Sequence, residues 1–351
     1  MQTLWVGGEG GMEEALVNRA GISYRSIPAA GVHGVGLRTL PQNMFKLMRG
    51  VVASKKILNE FKPDVLFFTG GYVAAPMAFA GRNIPIVLYV PDIEPGLALK
   101  FLANFADVIT LTADDSKKYF LPSKKLVVTG YPLRSGLVTW SRTSTFDSAP
   151  AAVPGEDAAL SKLRNLDSTK PILLVTGGSK GARSINTAVV KHLKQILEIA
   201  QVIHIAGETD YEVIEKTVQT SLPKELTKHY HVMPYLHEMG AALAAADLVL
   251  SRAGASSLGE YPYFELPAIL VPYPYAWRYQ KVNADYLANH NAAVILQDEL
   301  LQDQLFFIIK DILLNENKRQ TMKAAMKKLS TPNAADLIAS QLVELAGEQP
   351  L

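Results

Sequence analysis

Short apolar runs rich in Val, Ile and Leu alternate with amphipathic stretches along the chain. Runs at residues 3–6, 65–69, 86–90, 108–111, 126–129, 172–176, 202–205, 248–250, 268–271 and 293–296 predict strands, with helices between most of them. Continuous apolar strands joined by helical crossovers predict parallel sheets covered on both faces, the α/β class. Three runs end in glycine, at Thr69-Gly70-Gly71, Thr129-Gly130 and Thr176-Gly177-Gly178. In open α/β sheets ligands bind beyond the carboxyl ends of strands, so these turns are where chemistry is expected.

The pattern breaks once. Residues 141–154 are rich in Ser, Thr, Ala and Pro and lack apolar periodicity, which predicts a linker or surface insertion. The expected division is an N-terminal domain over 1–135, a linker or insertion over 136–170, a C-terminal domain over 171–332 and a terminal helix over 333–351 that packs back on the first domain. A length of 351 residues agrees with two domains. A helix is expected over 43–61. Leu47, Val51, Ser54, Leu58 and Phe61 share one face, and Phe45, Met48 and Val52 form a second apolar strip among Lys46, Arg49, Lys55 and Lys56. Two readings fit it: a helix buried on two sides, or a patch for an anionic bilayer.

Charge and composition narrow the functional classes. Lys and Arg number 35 against 33 acidic residues, a net charge of +2, which gives no reason to expect nucleic acid. The absence of cysteine excludes disulfides, cysteine nucleophiles and cysteine–zinc sites. The most apolar long stretch, Val73 to Val90, is interrupted by Arg82, Asn83 and Pro85 and predicts no membrane span. No signal-peptide pattern stands at residue 1. The seven histidines form no metal-binding spacing, and no metal or other cofactor is implied.

Gly177-Gly178-Ser179-Lys180-Gly181-Ala182-Arg183 joins an apolar strand to a long helix. Free amides and the helix dipole make such a junction an anion site; a plain strand–helix turn is the alternative. It is not a Walker A loop, and Gly7–Gly11 fails the dinucleotide spacing. Gly70-Gly71-Tyr72 reads equally as a turn or a binding loop. Ser257-x-x-Glu260 matches a capping box, and Glu260 could also bind ribose or sugar hydroxyls. Tyr279-Gln280-x-x-Asn283 offers donors and acceptors for neutral hydroxyls, or a polar helix face.

In order, these segments resemble the MurG family of UDP-N-acetylglucosamine transferases. The likeness runs through Leu4–Gly7, Gly11–Glu13, Ile27–Gly31, Lys62–Val65, Gly70–Val73, Gly130–Arg134, Gly177–Arg183, Arg252–Glu260 and Leu266–Pro272. The resemblance implies a glycosyltransferase B architecture, two Rossmann-like domains with parallel sheets facing a cleft. It implies transfer of N-acetylglucosamine from UDP to an undecaprenyl-linked lipid, lipid I, by a peripheral protein on the cytoplasmic face of the cell membrane. The donor residues it implies are Ser179 with Gly177, Gly178 and Gly181 on phosphate, Leu236 at uracil, and Ala255, Ser256, Ser257, Leu258 and Gly259 lining the nucleotide. Glu260 would hold the ribose, Tyr279, Gln280 and Asn283 the sugar side, and Arg134 closes a family motif. Gly70, Gly71 and Tyr72 fall on the acceptor side. Phe45, Met48 and Val51, with Lys46 and Lys55, fall where the family meets an anionic membrane.

The family's opening G-G-T-G-G-H loop has no counterpart here, so one strand–loop–helix unit is expected upstream, with Met1 an internal start. Its H-E-x-N segment reads Tyr89-Val90-Pro91-Asp92, the asparagine of G-N-P is Tyr131, and a glutamine is replaced by Tyr279. The catalytic base is therefore open, with Asp92 and Glu94 as candidates. Two alternatives accompany the transferase reading: a non-catalytic UDP-sugar-binding paralogue, and a UDP-sugar transferase with another lipid acceptor.

Overall fold

A computed structural model describes residues 2–11, 13–31, 39–140, 163, 166–167, 169–178, 181–274 and 279–347. The chain divides into two compact units, residues 1–129 with 335–351 and residues 130–334.

In the second unit six parallel strands run in the order β12-β11-β10-β7-β8-β9. They are β7 Ile172–Thr176, β8 Gln201–Ile205, β9 Tyr230–Met233, β10 Leu248–Ser251, β11 Ala268–Leu270 and β12 Ala293–Ile295. Their Val, Ile and Leu side chains are buried, and the helix Arg183–Ile199 covers one face with Ile185, Val189, Leu193 and Ile196. Apolar residues three and four apart put these four on one stripe of the helix. From β7 the chain builds outward to β8 and β9, then returns to place β10 on β7's other side. The order reverses between β7 and β10, the switch point at which open α/β sheets form their ligand crevice.

The first unit holds two parallel sheets that share no backbone pairing among the described residues. One is β1 Leu4–Gly8 with β2 Ser23–Ile27, and the other is ordered β3-β4-β5-β6. The second comprises β3 Leu66–Phe68, β4 Ile86–Val90, β5 Val108–Leu111 and β6 Lys125–Val128. A single apolar core, including Ile27, Leu66, Phe68, Leu88 and Ile109, underlies both. The hydrophobic pattern missed β2 because only Ile27 of its five residues is buried. The terminal helix Ala334–Leu345 meets this unit through Glu344 Oε1, 2.9 Å from Lys125 Nζ. Among the described residues no helix is long and apolar enough to cross a membrane.

Candidate active site

Strand register gathers the sequence motifs. Thr176 of β7 lies beside Ser251 of β10, Ser251 beside Leu270 of β11, and Thr176 beside Ile205 of β8. The loops after these residues therefore leave the sheet side by side at the switch point. They carry Gly177–Ala182, Arg252–Glu260, Val271–Tyr273 and Ala206–Gly207.

The Gly177 loop needs its glycines. A Cβ on Gly177 would stand 2.2 Å from the Ala182 nitrogen, and one on Gly181 would stand 2.3 Å from the Ala206 oxygen. Gly178 and Gly181 have φ of +82° and +74°, a region L side chains avoid. The Gly181 amide closes the turn onto the Gly178 carbonyl at 3.0 Å. The N-cap residue of the helix Arg183–Ile199 that follows is Ala182, which makes no side-chain cap, so among the described residues the first amides and the positive end of the dipole are left for an anion. Ser179 and Lys180 lie outside the described residues.

Behind this loop stands an ionic brace the sequence pattern did not reveal. Arg252 donates to the Val271 carbonyl at 3.1 Å and the Ser184 hydroxyl at 2.8 Å, pairs with Asp298, and lies over the Tyr273 ring. Ser184 in turn donates to Asp298 at 2.8 Å. The Tyr273 amide donates to Gln280 Oε1 at 2.8 Å, so the brace also orients Gln280. A bare Arg in a loop carries no periodic signal; only its four partners give it meaning.

Glu260 and Arg134 meet at 3.6 Å. Tyr131 brings Arg134 there by packing on Gly259, where a Cβ would stand 2.7 Å from the Tyr131 Cβ. Glu260 is buried while Arg134 is largely exposed. Burial pushes the Glu260 carboxyl above its usual range, and the Arg134 guanidinium opposes that rise. The capping-box expectation is corrected: the helix Ser257–Tyr263 has no side-chain cap, and the Ser257 hydroxyl donates to the Gly254 carbonyl at 2.6 Å. Glu260 is thereby freed from a helix-end role.

Asn283 differs from expectation too. It is fully buried, and its Nδ2 donates to the Ala253 carbonyl at 3.2 Å, so it holds the Arg252 loop instead of presenting its amide outward. Tyr279 opens its helix, Tyr279–Asn289. Leu236 is buried just beyond β9. Ala255 and Ser256 precede the Ser257 helix, in which Leu258 is buried.

In the first unit Gly70 and Gly71 turn at the end of β3 with φ of +115° and +84°, and Tyr72 is exposed. Asp92 and Glu94 follow β4. Glu94 is buried and pairs with Lys100 Nζ at 3.3 Å. On the helix Leu40–Phe61, Phe45, Met48 and Val52 are 62%, 63% and 70% exposed. Val51 is corrected out of this strip: it is half-buried on the inner face with Leu47, above the buried Ser54 and Leu58. No cluster of His, Asp and Glu that could hold a metal occurs among the described residues.

Two α/β units with parallel sheets, one gathering its strand-end loops at a switch point, have the glycosyltransferase B architecture. Residues 1–111 match the glycosyltransferase family 28 N-terminal domain and residues 172–338 its C-terminal domain. The chain belongs to glycosyltransferase family 28 and, within it, to the MurG family. It is 36% identical to the UDP-N-acetylglucosamine--N-acetylmuramyl-(pentapeptide) pyrophosphoryl-undecaprenol N-acetylglucosamine transferase of Roseiflexus sp. strain RS-1, over 97% of this chain and 83% of that one. The likewise named protein of Bacillus subtilis strain 168 is 32% identical, over 98% of this chain and 91% of its own length. The crystal structure of Acinetobacter baumannii MurG superposes with a TM-score of 0.75 at 26% identity, covering 98% of this chain and 91% of that one.

Proposed function

We propose that this protein transfers N-acetylglucosamine from UDP-N-acetylglucosamine to N-acetylmuramyl-(pentapeptide) pyrophosphoryl-undecaprenol, lipid I, in peptidoglycan synthesis. The observation that carries the reading is the joining of a near-full-length likeness to transferases of that name with a glycine loop, a helix end and Glu260 at one switch point. The amides at the start of Arg183–Ile199 face the donor pyrophosphate and stabilise the charge that gathers there as UDP leaves. Ser179 adds a hydroxyl to the same oxygens. Glu260 accepts from the ribose hydroxyls, Leu236 packs at the base, and Gln280 faces the sugar.

The acceptor's 4-hydroxyl attacks the anomeric carbon from the face opposite UDP. A bond from that carbon to the acceptor oxygen forms as the bond to the diphosphate oxygen breaks, and the hydroxyl proton passes to a base. Glu94 is committed to Lys100, which leaves Asp92 as the carboxylate to test. Asp92→Asn is expected to lower kcat by about a hundredfold or more while UDP affinity measured by calorimetry stays unchanged. Equal turnover by the variant removes Asp92 from the role.

The exposed strip Phe45, Met48 and Val52, edged by Lys46, Arg49, Lys55 and Lys56, supports the reading that the protein binds peripherally at the cytoplasmic face of the membrane. Replacing Phe45 and Met48 with Glu is expected to cut binding to phosphatidylglycerol vesicles by about tenfold or more, each buried side chain and each screened lysine contributing on the order of 1 kcal/mol. Turnover of a short-chain, water-soluble acceptor stays unchanged in that variant. Unaltered vesicle binding by co-sedimentation would refute the patch. The overall reading is tested by incubating the protein with UDP-N-acetylglucosamine and lipid I. Release of UDP with formation of the disaccharide lipid supports it. UDP binding without turnover favours a non-catalytic paralogue, and turnover only with other lipids favours a different acceptor.

A further inference from the structure

Asn186, His204 and Tyr230 are buried side chains on three neighbouring elements: the helix Arg183–Ile199, β8 and β9. Asn186 Nδ2 donates to the Ala206 carbonyl and to Asp210 Oδ2, each at 2.9 Å. Both partners are pure acceptors, so the amide orientation is fixed and Oδ1 faces His204 Nε2 at 3.0 Å. His204 must then carry its proton on Nε2. Burial pulls its pKa to about 3, against the opposing pull of Asp210, so the ring is neutral and Nδ1 accepts the Tyr230 hydroxyl at 2.7 Å. Every donor in this chain has one acceptor and one direction. Arg183 closes its far end on Asp210 at 3.2 Å.

The relay grips a particular piece of backbone. The Ala206 carbonyl that Asn186 holds is the atom against which Gly181 packs without a Cβ. The Ala206 and Gly207 amides donate to the Met233 and Pro234 carbonyls at 3.0 and 3.1 Å, immediately before Leu236. One turn, Ala206–Gly207, is thus wedged between the glycine loop and the Leu236 segment, and the relay ties it to the helix whose first amides close the loop.

We propose that Asn186, His204 and Tyr230 are positioning residues that set the pyrophosphate loop and the nucleobase segment in one register for the donor. The proposal rests on the reading that these segments hold UDP. None of the three touches substrate. Their effect is on how well the donor's two ends are met together, so it falls on donor affinity and not on the chemical step.

Tyr230→Phe deletes one hydroxyl and leaves the ring in place. His204 Nδ1 is then a buried acceptor that has lost the Tyr230 hydroxyl, while Nε2–H stays on the Asn186 oxygen, and the ring is held from one side only. Calorimetry with UDP is expected to show about tenfold weaker binding, the cost of one buried polar group left unmatched. The KM for UDP-N-acetylglucosamine rises in parallel, while kcat and the acceptor KM stay within about twofold. His204→Leu gives the same split. His204→Gln, which keeps one donor and one acceptor, restores most of the affinity. Nitrogen-15 NMR of the full chain is expected to show His204 as the Nε2–H tautomer in the wild type and also in Tyr230→Phe, since the Asn186 oxygen sets it. An Nδ1–H tautomer in the wild type overturns the relay. So do Tyr230→Phe and His204→Leu proteins that melt earlier yet bind UDP as the wild type does, since that is a role in stability alone. Wild-type protein with no UDP affinity fails at the underlying reading, and the proposal falls with it.

Discussion

Gly177→Ala is expected to weaken UDP binding by about a hundredfold or more. The added methyl meets the Ala182 nitrogen at 2.2 Å and the Gly181 carbonyl carbon at 2.4 Å. Both are backbone atoms of the loop itself, so no side chain can swing aside and the turn must open. Gly181→Ala joins a contact of 2.3 Å to the Ala206 oxygen with a φ of +74° and gives a loss of the same order. Gly136→Ala is the control: a methyl there meets nothing within 4 Å, the residue lies in the helix Ser135–Val138, and both stability and UDP binding hold. The check is calorimetry with UDP beside thermal melting of each variant. A Gly177→Ala protein that folds and binds UDP normally contradicts the assignment of the loop.

Glu260→Gln separates stability from binding. A carboxyl whose pKa is raised by folding favours the folded state most below the usual carboxylate range, and that advantage is lost as pH rises through the raised value. At neutral pH its ionised form is a cost, which a neutral amide of the same shape removes. Its partner Arg134 is too exposed for the lost ion pair to weigh much. The variant is therefore expected to melt at the wild-type temperature or slightly above. Its UDP affinity falls about ten- to a hundredfold, because hydrogen bonds to a charged acceptor are worth roughly 1.5–3 kcal/mol. In the wild type UDP binding weakens on acidification, with a midpoint above the usual carboxylate range. Arg134→Gln moves that midpoint further up, since the guanidinium is what opposes the effect of burial. Binding that is flat across this window removes the ionised Glu260 from ribose recognition.

Much of the fold was legible in the chain because buried parallel strands are continuous apolar runs. Residues 86–90, 108–111 and 172–176 match their strands end to end. β2 was not legible, since it reads Ser-Tyr-Arg-Ser-Ile and buries only its last residue. The helix Leu40–Phe61 begins three residues before the expected start, with Pro41 in its first turn, where a missing amide proton costs nothing. Its two apolar strips were visible, but Val51 and Val52 are adjacent and only packing assigns one inward and the other outward.

The site was legible where chemistry is local. Glycines announce a close backbone approach whatever surrounds them, so the Gly177 loop stood out. Glu260 stood out for a mistaken reason, since the capping box it completes in sequence is not made. Arg252 was legible only as the start of a motif, and Asn186 and His204 gave no signal, because the partners of these three lie 18 to 68 positions away in the chain and only the fold brings them together. Asn283 shows the converse: an amide suited to sugar hydroxyls is spent inside the fold on Ala253.

A crystal of the protein soaked with UDP-N-acetylglucosamine tests the central claim most directly. The account places the diphosphate on the amides that open Arg183–Ile199, the ribose on Glu260 and the uracil beside Leu236. Clear density for the nucleotide elsewhere, with this switch point empty, would contradict it.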